Sequence, residues 1–87
     1  MILHTFNKPR ALVENRRFVL PQDTILLMED GVYSLLDENL LKGQNDVFAL
    51  DIDLRARGIK VAQHDISITY GKFVSLCAEA DQISNWF

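Results

Sequence analysis

Strand-like and helix-like segments alternate four times along this 87-residue chain, and that alternation predicts an α/β fold on a parallel sheet. Two further observations narrow the prediction. The second and third strand-like segments, Thr24 to Met28 and Val47-Phe48-Ala49-Leu50, are continuously apolar, as strands buried on both faces are. The length admits one core, so residues 1–87 are expected to form a single domain. With right-handed crossovers, the expected architecture is a small flavodoxin-like open parallel four-stranded sheet with helices on both faces, in strand order 2-1-3-4.

The first strand is Ile2-Leu3-His4-Thr5-Phe6, and its two polar residues fit poorly with burial on both faces. Pro9 opens the first helix, where its missing N–H costs nothing, and Pro21 stops it. The second helix is expected after Asp30 as N-cap, with Val32, Leu35, Leu36 and Leu40 on one face and Gly43 at its end. The third is short, capped by Asp51 and ended by Gly58, with Asp51–Arg55 and Asp53–Arg57 as i,i+4 pairs. Ile66-Ser67-Ile68-Thr69-Tyr70 reads as the fourth strand. The fourth helix follows Tyr70-Gly71 and stacks Phe73, Leu76, Cys77 and Ala80. The terminal aromatics Trp86 and Phe87 are expected to pack against this domain or a partner rather than trail as a tail.

Hydrophobic residues make up 48% and charged residues 24%, the balance of a soluble globular chain rather than a disordered one. Unbroken apolar runs reach only four residues, as in Ile25-Leu26-Leu27-Met28, far short of the ~18 that a membrane span needs. A secretory signal is not expected either, because Lys8 and Arg10 follow the first apolar stretch. One cysteine, Cys77, excludes an internal disulfide and a cysteine-based zinc site. A cytoplasmic domain is the expectation. The net charge of −3 divides into +3 through Arg17 and −6 beyond it, so a broad basic surface for nucleic acid is absent. Arg16-Arg17 reads as a solvated helix face.

Ligands of open α/β sheets bind outside the carboxyl ends of the strands. Those ends collect His4-Thr5, Glu29-Asp30-Gly31, Asp51-Ile52-Asp53 and Tyr70-Gly71, an acidic set without a glycine-rich phosphate loop or a Walker lysine. Glu29 or Asp30 with His4 could hold a divalent metal, but Asp30 and Asp51 read first as helix caps. Ser34, Ser67, Ser75 and Ser84 follow no nucleophile elbow, His64 lies in a polar loop, and His4 reads as a structural strand histidine. Cys77 has the one intrinsically sulfur-reactive side chain. Its helix interior, with Leu76 beside it and Glu79 and Asp81 nearby, reads as a packing position. The residues therefore assign no catalytic, cofactor-binding or metal site.

The opening Met1-Ile2-Leu3-His4-Thr5 resembles the start of the DsrH/TusB family. So do Leu26-Leu27-Met28-Glu29-Asp30-Gly31-Val32-Tyr33, Val47-Phe48-Ala49-Leu50, Asp53-Leu54-Arg55-Ala56-Arg57-Gly58, Ile68-Thr69-Tyr70, Phe73-Val74 and Trp86, in order from first residue to last. The resemblance implies a DsrE/DsrF/DsrH-like fold and a non-catalytic subunit of a TusBCD-type heterohexamer, with TusC-like and TusD-like partners. Such a complex takes persulfide sulfur from a TusA-like carrier and passes it to a TusE-like one, for 2-thiolation of the tRNA wobble uridine. The resemblance places the active cysteine on the TusD-like partner. It implies no cofactor, membrane contact or direct nucleic-acid binding, and homo-oligomers for the isolated chain. Two alternatives stay open: a DsrEFH-type sulfur-oxidation subunit, and a direct sulfur carrier using Cys77. A third is an unrelated flavodoxin-like binding domain. The first helical segment, Pro9 to Leu20, lacks the cysteine that some DsrH members carry there, which weighs against the sulfur-oxidation branch.

Overall fold

A computed structural model of the chain describes residues 1–37, 39, 41, 43, 45–61, 63 and 65–87. Five strands form one wholly parallel sheet: β1 (Ile2–Phe6), β2 (Thr24–Leu27), β3 (Asp46–Leu50), β4 (Ser67–Ile68) and β5 (Gln82–Trp86). Their spatial order is β4-β3-β2-β1-β5. The α/β class and the parallel sheet are as the sequence predicts; the strand count and order are not. The chain steps outward from β1 through β2 and β3 to β4, then crosses back to lay β5 on the far side of β1. The expected order placed β1 between β2 and β3, whereas β3 pairs with β2.

The missed strand explains the discordant first one. With β2 on one side and β5 on the other, β1 is an interior strand. Its polar residues are buried because β5 supplies partners for them. Thr5 Oγ1 donates to Asn85 Oδ1 at 2.6 Å, and Trp86 Nε1 donates to His4 Nδ1 at 3.0 Å. Buried polar groups are tolerated where such bonds are made.

Between the strands lie α1 (Pro9–Asn15), running into a 3-10 turn over Arg16–Phe18, a 3-10 helix over Glu29–Leu36, α2 (Asp51–Ala56) and α3 (Tyr70–Glu79). Three successive outward crossovers of right hand must put α1, the 3-10 helix and α2 on one face, and the returning crossover must put α3 on the other. The two cores agree. Ala11, Leu12, Val32 and Leu54 pack with Phe6, Ile25, Leu27 and Ala49, whereas Leu76 of α3 packs with Leu3, Leu26, Leu50 and Ile68. Helices thus cover both faces, three to one. Phe73, Cys77 and Ala80 join Leu76 on the α3 side, as their spacing predicts.

Several expected helix ends move. Asp30 and Asp51 lie inside their helices; the N-caps are Met28 and Leu50, neither with a side-chain cap bond. Both carboxylates are drawn instead to arginines, in a first turn where the helix dipole still favours them. The second helix is a 3-10 helix that ends at Leu36 with Asp37 as C-cap, so Gly43 does not terminate it. Its buried residues Gly31, Val32 and Ser34 follow the tighter three-residue turn; of the predicted stripe Val32 and Leu35 meet the core, while Leu36 is exposed. Leu40 of that stripe lies outside the described residues. Gly58 follows α2 with φ +65°, the left-handed stop that the sequence predicts. Thr69 leaves β4 early to cap α3, accepting from the Lys72 amide at 3.2 Å, so Tyr70 and Gly71 begin the helix rather than precede it.

Candidate functional site

At the carboxyl end of the sheet the acidic residues predicted from sequence do converge, but they engage one another's neighbours. Asp30 receives Arg57 Nε at 2.9 Å, and Asp53 lies 3.6 Å from the same guanidinium. Asp51 pairs with Arg55 and accepts from Ser67 Oγ at 3.3 Å. Asp53 Oδ2 also accepts the backbone N–H of Glu29 at 2.8 Å, where the chain takes φ +48°. That turn brings Gly31 so near the end of β1 that a Cβ there would stand 2.1 Å from the Phe6 carbonyl oxygen. The glycine is a packing requirement rather than a phosphate cradle. His4 is not brought to Glu29 or Asp30, and no group of three metal-ligating side chains occurs among the described residues. His64 lies outside them.

The densest polar constellation lies elsewhere and joins residues the sequence does not visibly link. His4 is 2% exposed, and its two ring nitrogens are both occupied. An indole N–H can only donate, so Trp86 fixes Nδ1 of His4 as an acceptor. The ring proton therefore sits on Nε2, which donates to Asp23 Oδ2 at 3.0 Å. Asp23 accepts two backbone N–H groups as well, from Ile2 at 3.0 Å and Leu20 at 3.1 Å. Burial pushes the Asp23 carboxyl up, but these three bonds outweigh it and hold the group below the ordinary carboxylate range. The His4 and Trp86 rings lie edge to edge, 8° from coplanar, and Phe18 stacks on Trp86 with centroids 5.6 Å apart. Arg17 covers Phe18 at 4.8 Å.

A second layer of bonds braces the same end of the sheet. Asn45 Nδ2 donates to the carbonyls of Leu20 at 2.7 Å and Asp23 at 2.9 Å, and Asn45 Oδ1 accepts from Arg16 at 2.9 Å. Arg16 is thus half-buried and structural, not a solvated side chain, while Arg17 remains exposed. Sequence reading placed His4 as structural and missed its bonds to Asp23 and Trp86, with Asn85 facing Thr5 and Asn45 bracing Asp23. The available signal was the histidine–threonine pair itself, because two buried polar side chains on one strand demand partners.

Cys77 lies half-buried on the inner side of α3, in the core that Met1, Met28, Phe48 and Phe73 also border. Asp81, four residues on, is engaged with the N-terminal ammonium at 2.5 Å, which holds that carboxyl below its ordinary range. A groove of about 730 Å³ opens where the 3-10 helix meets β3, lined by Leu35, Leu41, Val47, Phe48, Ile59 and Ile66. Among the described residues its polar rim is Asp46, Lys60, Gln63 and Asp65.

Fold and polar sites together define a small parallel α/β protein in which these charged and polar clusters pair internally and brace the sheet. Comparison with known proteins makes the class specific. The DsrH like protein family matches residues 8–83. Protein TusB of Escherichia coli O81 (strain ED1a) is 32% identical over 95 aligned residues, covering 98% of this chain and all of the relative. Protein TusB of Yersinia enterocolitica serotype O:8 is 32% identical across 80% of this chain and 81% of the relative. Among solved structures, the solution structure of protein Tm0979 from Thermotoga maritima superposes with a TM-score of 0.65 at 26% identity, over 91% of this chain and 93% of that one. The chain belongs to the DsrH/TusB family.

Proposed function

We propose that this chain is the TusB-like subunit of a TusBCD-type sulfur-relay complex that serves 2-thiolation of the tRNA wobble uridine in the cytoplasm. The observation that carries the reading is the match to Protein TusB along 98% of the chain and the whole of the relative. The subunit's part is to complete the assembly and to place the TusD-like partner that holds the reactive cysteine. TusA-like and TusE-like carriers then meet the complex through that partner. Two structural observations support a non-catalytic role. Cys77 packs half-buried against a core, and the described polar clusters at both ends of the sheet are internally paired.

The test reconstitutes the relay from this chain with its TusC-like and TusD-like partners and a charged upstream carrier. Mass spectrometry of each subunit should find the extra sulfur atom on the TusD-like chain. Cys77→Ala should retain tRNA thiolation. One added sulfur on this chain, lost together with thiolation in Cys77→Ala, would overturn the scaffold reading and make Cys77 a carrier.

A further inference from the structure

We infer that His4 is a proton-operated latch on the edge strand β5: protonation of its ring and docking of the Trp86 indole are mutually exclusive. The inference follows from hydrogen-bond chemistry in a confined space. Trp86 Nε1–H stands 3.0 Å from His4 Nδ1, and Asp23 Oδ2 stands 3.0 Å from Nε2. Neutral imidazole satisfies both neighbours with one proton, placed on Nε2. A second proton can go only to Nδ1, where it would point at the indole proton. Two donors then face each other in a site where His4 is 2% exposed.

Two states are therefore available. In one, His4 is neutral and Trp86 is docked. In the other, the imidazolium keeps its Nε2 bond to the Asp23 carboxylate and the indole swings away. Asp23 is the charged group in contact with the ring. From β2 (Thr24–Leu27) and β5 (Gln82–Trp86) no titratable side chain faces it. Arg17 stands two rings away over Phe18, and Arg10 and Glu14 of α1 bond each other at the surface. Trp86, beside a Phe87 that is 78% exposed, is the last residue of its strand. Its release therefore frays one end of β5 without dismantling β1 and β2. Phe18, stacked on the indole, moves with it. Acidification thus reshapes the open edge of the sheet.

Amide hydrogen exchange of the intact protein tests this, read by NMR from about pH 8 to about pH 5 and corrected for intrinsic rates, with the His4 ring followed by its ¹⁵N shifts. Protection of the indole N–H and of whichever of the Asn85 and Trp86 amides bonds β1 should fall about tenfold as the ring protonates, while that of Ile25 and Leu26 in β2 holds. In Trp86→Phe, which keeps a ring in the stack and removes the donor, the fall at that β5 amide should vanish. Should that variant not fold, the indole signal of the natural protein decides alone, because it must lose protection with the ring's own midpoint. Unchanged β5 protection overturns the latch, whether the ring protonates without consequence or never protonates. An undiminished fall in Trp86→Phe overturns it equally.

Discussion

Asp23 shows how one buried carboxylate can hold three parts of a fold. It binds the amide that begins β1, the turn after Leu20 and the His4 ring. Its native pKa is depressed, so its contribution to stability is complete above the unfolded carboxylate value of about 3.9 and is lost as pH falls through the lower native value. Urea titrations at neutral pH and in strong acid should show that loss, and it should be absent in Asp23→Asn. The amide variant should itself cost on the order of 3 kcal/mol at neutral pH, because its NH₂ group meets N–H donors that need an acceptor. Gly31 is sensitive for a steric reason. A Cβ 2.1 Å from the Phe6 carbonyl oxygen cannot be accommodated by rotating a side chain. Gly31→Ala should therefore destabilise by about 2–3 kcal/mol, read from the shift in urea midpoint. Equal stability would mean that the 3-10 helix slides off β1 without penalty.

Gly58 presents the opposite case at the scale of an element. A Cβ there would meet nothing within 4 Å, and the difficulty lies in its φ of +65° alone. Gly58→Val should cost about 1–2 kcal/mol through backbone strain at the end of α2, with the Asp51–Arg55 and Asp53–Arg57 pairs intact. A variant as stable as the parent in urea would show that α2 can end elsewhere. The α2 segment was readable from sequence because everything that sets it is local: a glycine stop and charges four residues apart. β5 was not. Gln-Ile-Ser-Asn-Trp has neither the apolar run of β2 nor strict alternation, and its strand character comes from pairing with β1, 80 residues away in sequence. The His4–Asp23–Trp86 cluster was illegible for the same reason, since its bonds span 19 and 82 residues. Strand order likewise depends on long-range pairing, which periodicity does not encode. The misfit of His4 and Thr5 in an otherwise apolar strand, with the aromatics at residues 86 and 87, was the local trace of the missing neighbour.

On the scale of the whole molecule, the sheet ends unequally. β4 is a two-residue edge, too short to template another strand, whereas β5 offers five residues with one side unpaired. No charge or proline protects that strand, and Phe18, Ile83 and Phe87 leave apolar surface around it. The opposite face is covered by one helix, whose Tyr70 and Val74 are also exposed. A subunit built this way should be incomplete alone. Purified by itself, the chain should run as homo-oligomers in size-exclusion chromatography with light scattering. On the proposed function, co-expression with TusC-like and TusD-like proteins should draw it from those oligomers into a mixed complex. Ile83→Lys separates edge association from folding, because a lysine on an exposed edge position deters strand pairing. It should weaken self-association about tenfold, equivalent to ~1.4 kcal/mol, while monomer stability in urea changes by no more than about 0.5 kcal/mol. A stable monomer that ignores both partners would remove the assembly reading. Self-association that Ile83→Lys leaves untouched would move the contact away from β5, toward the face that α3 covers alone.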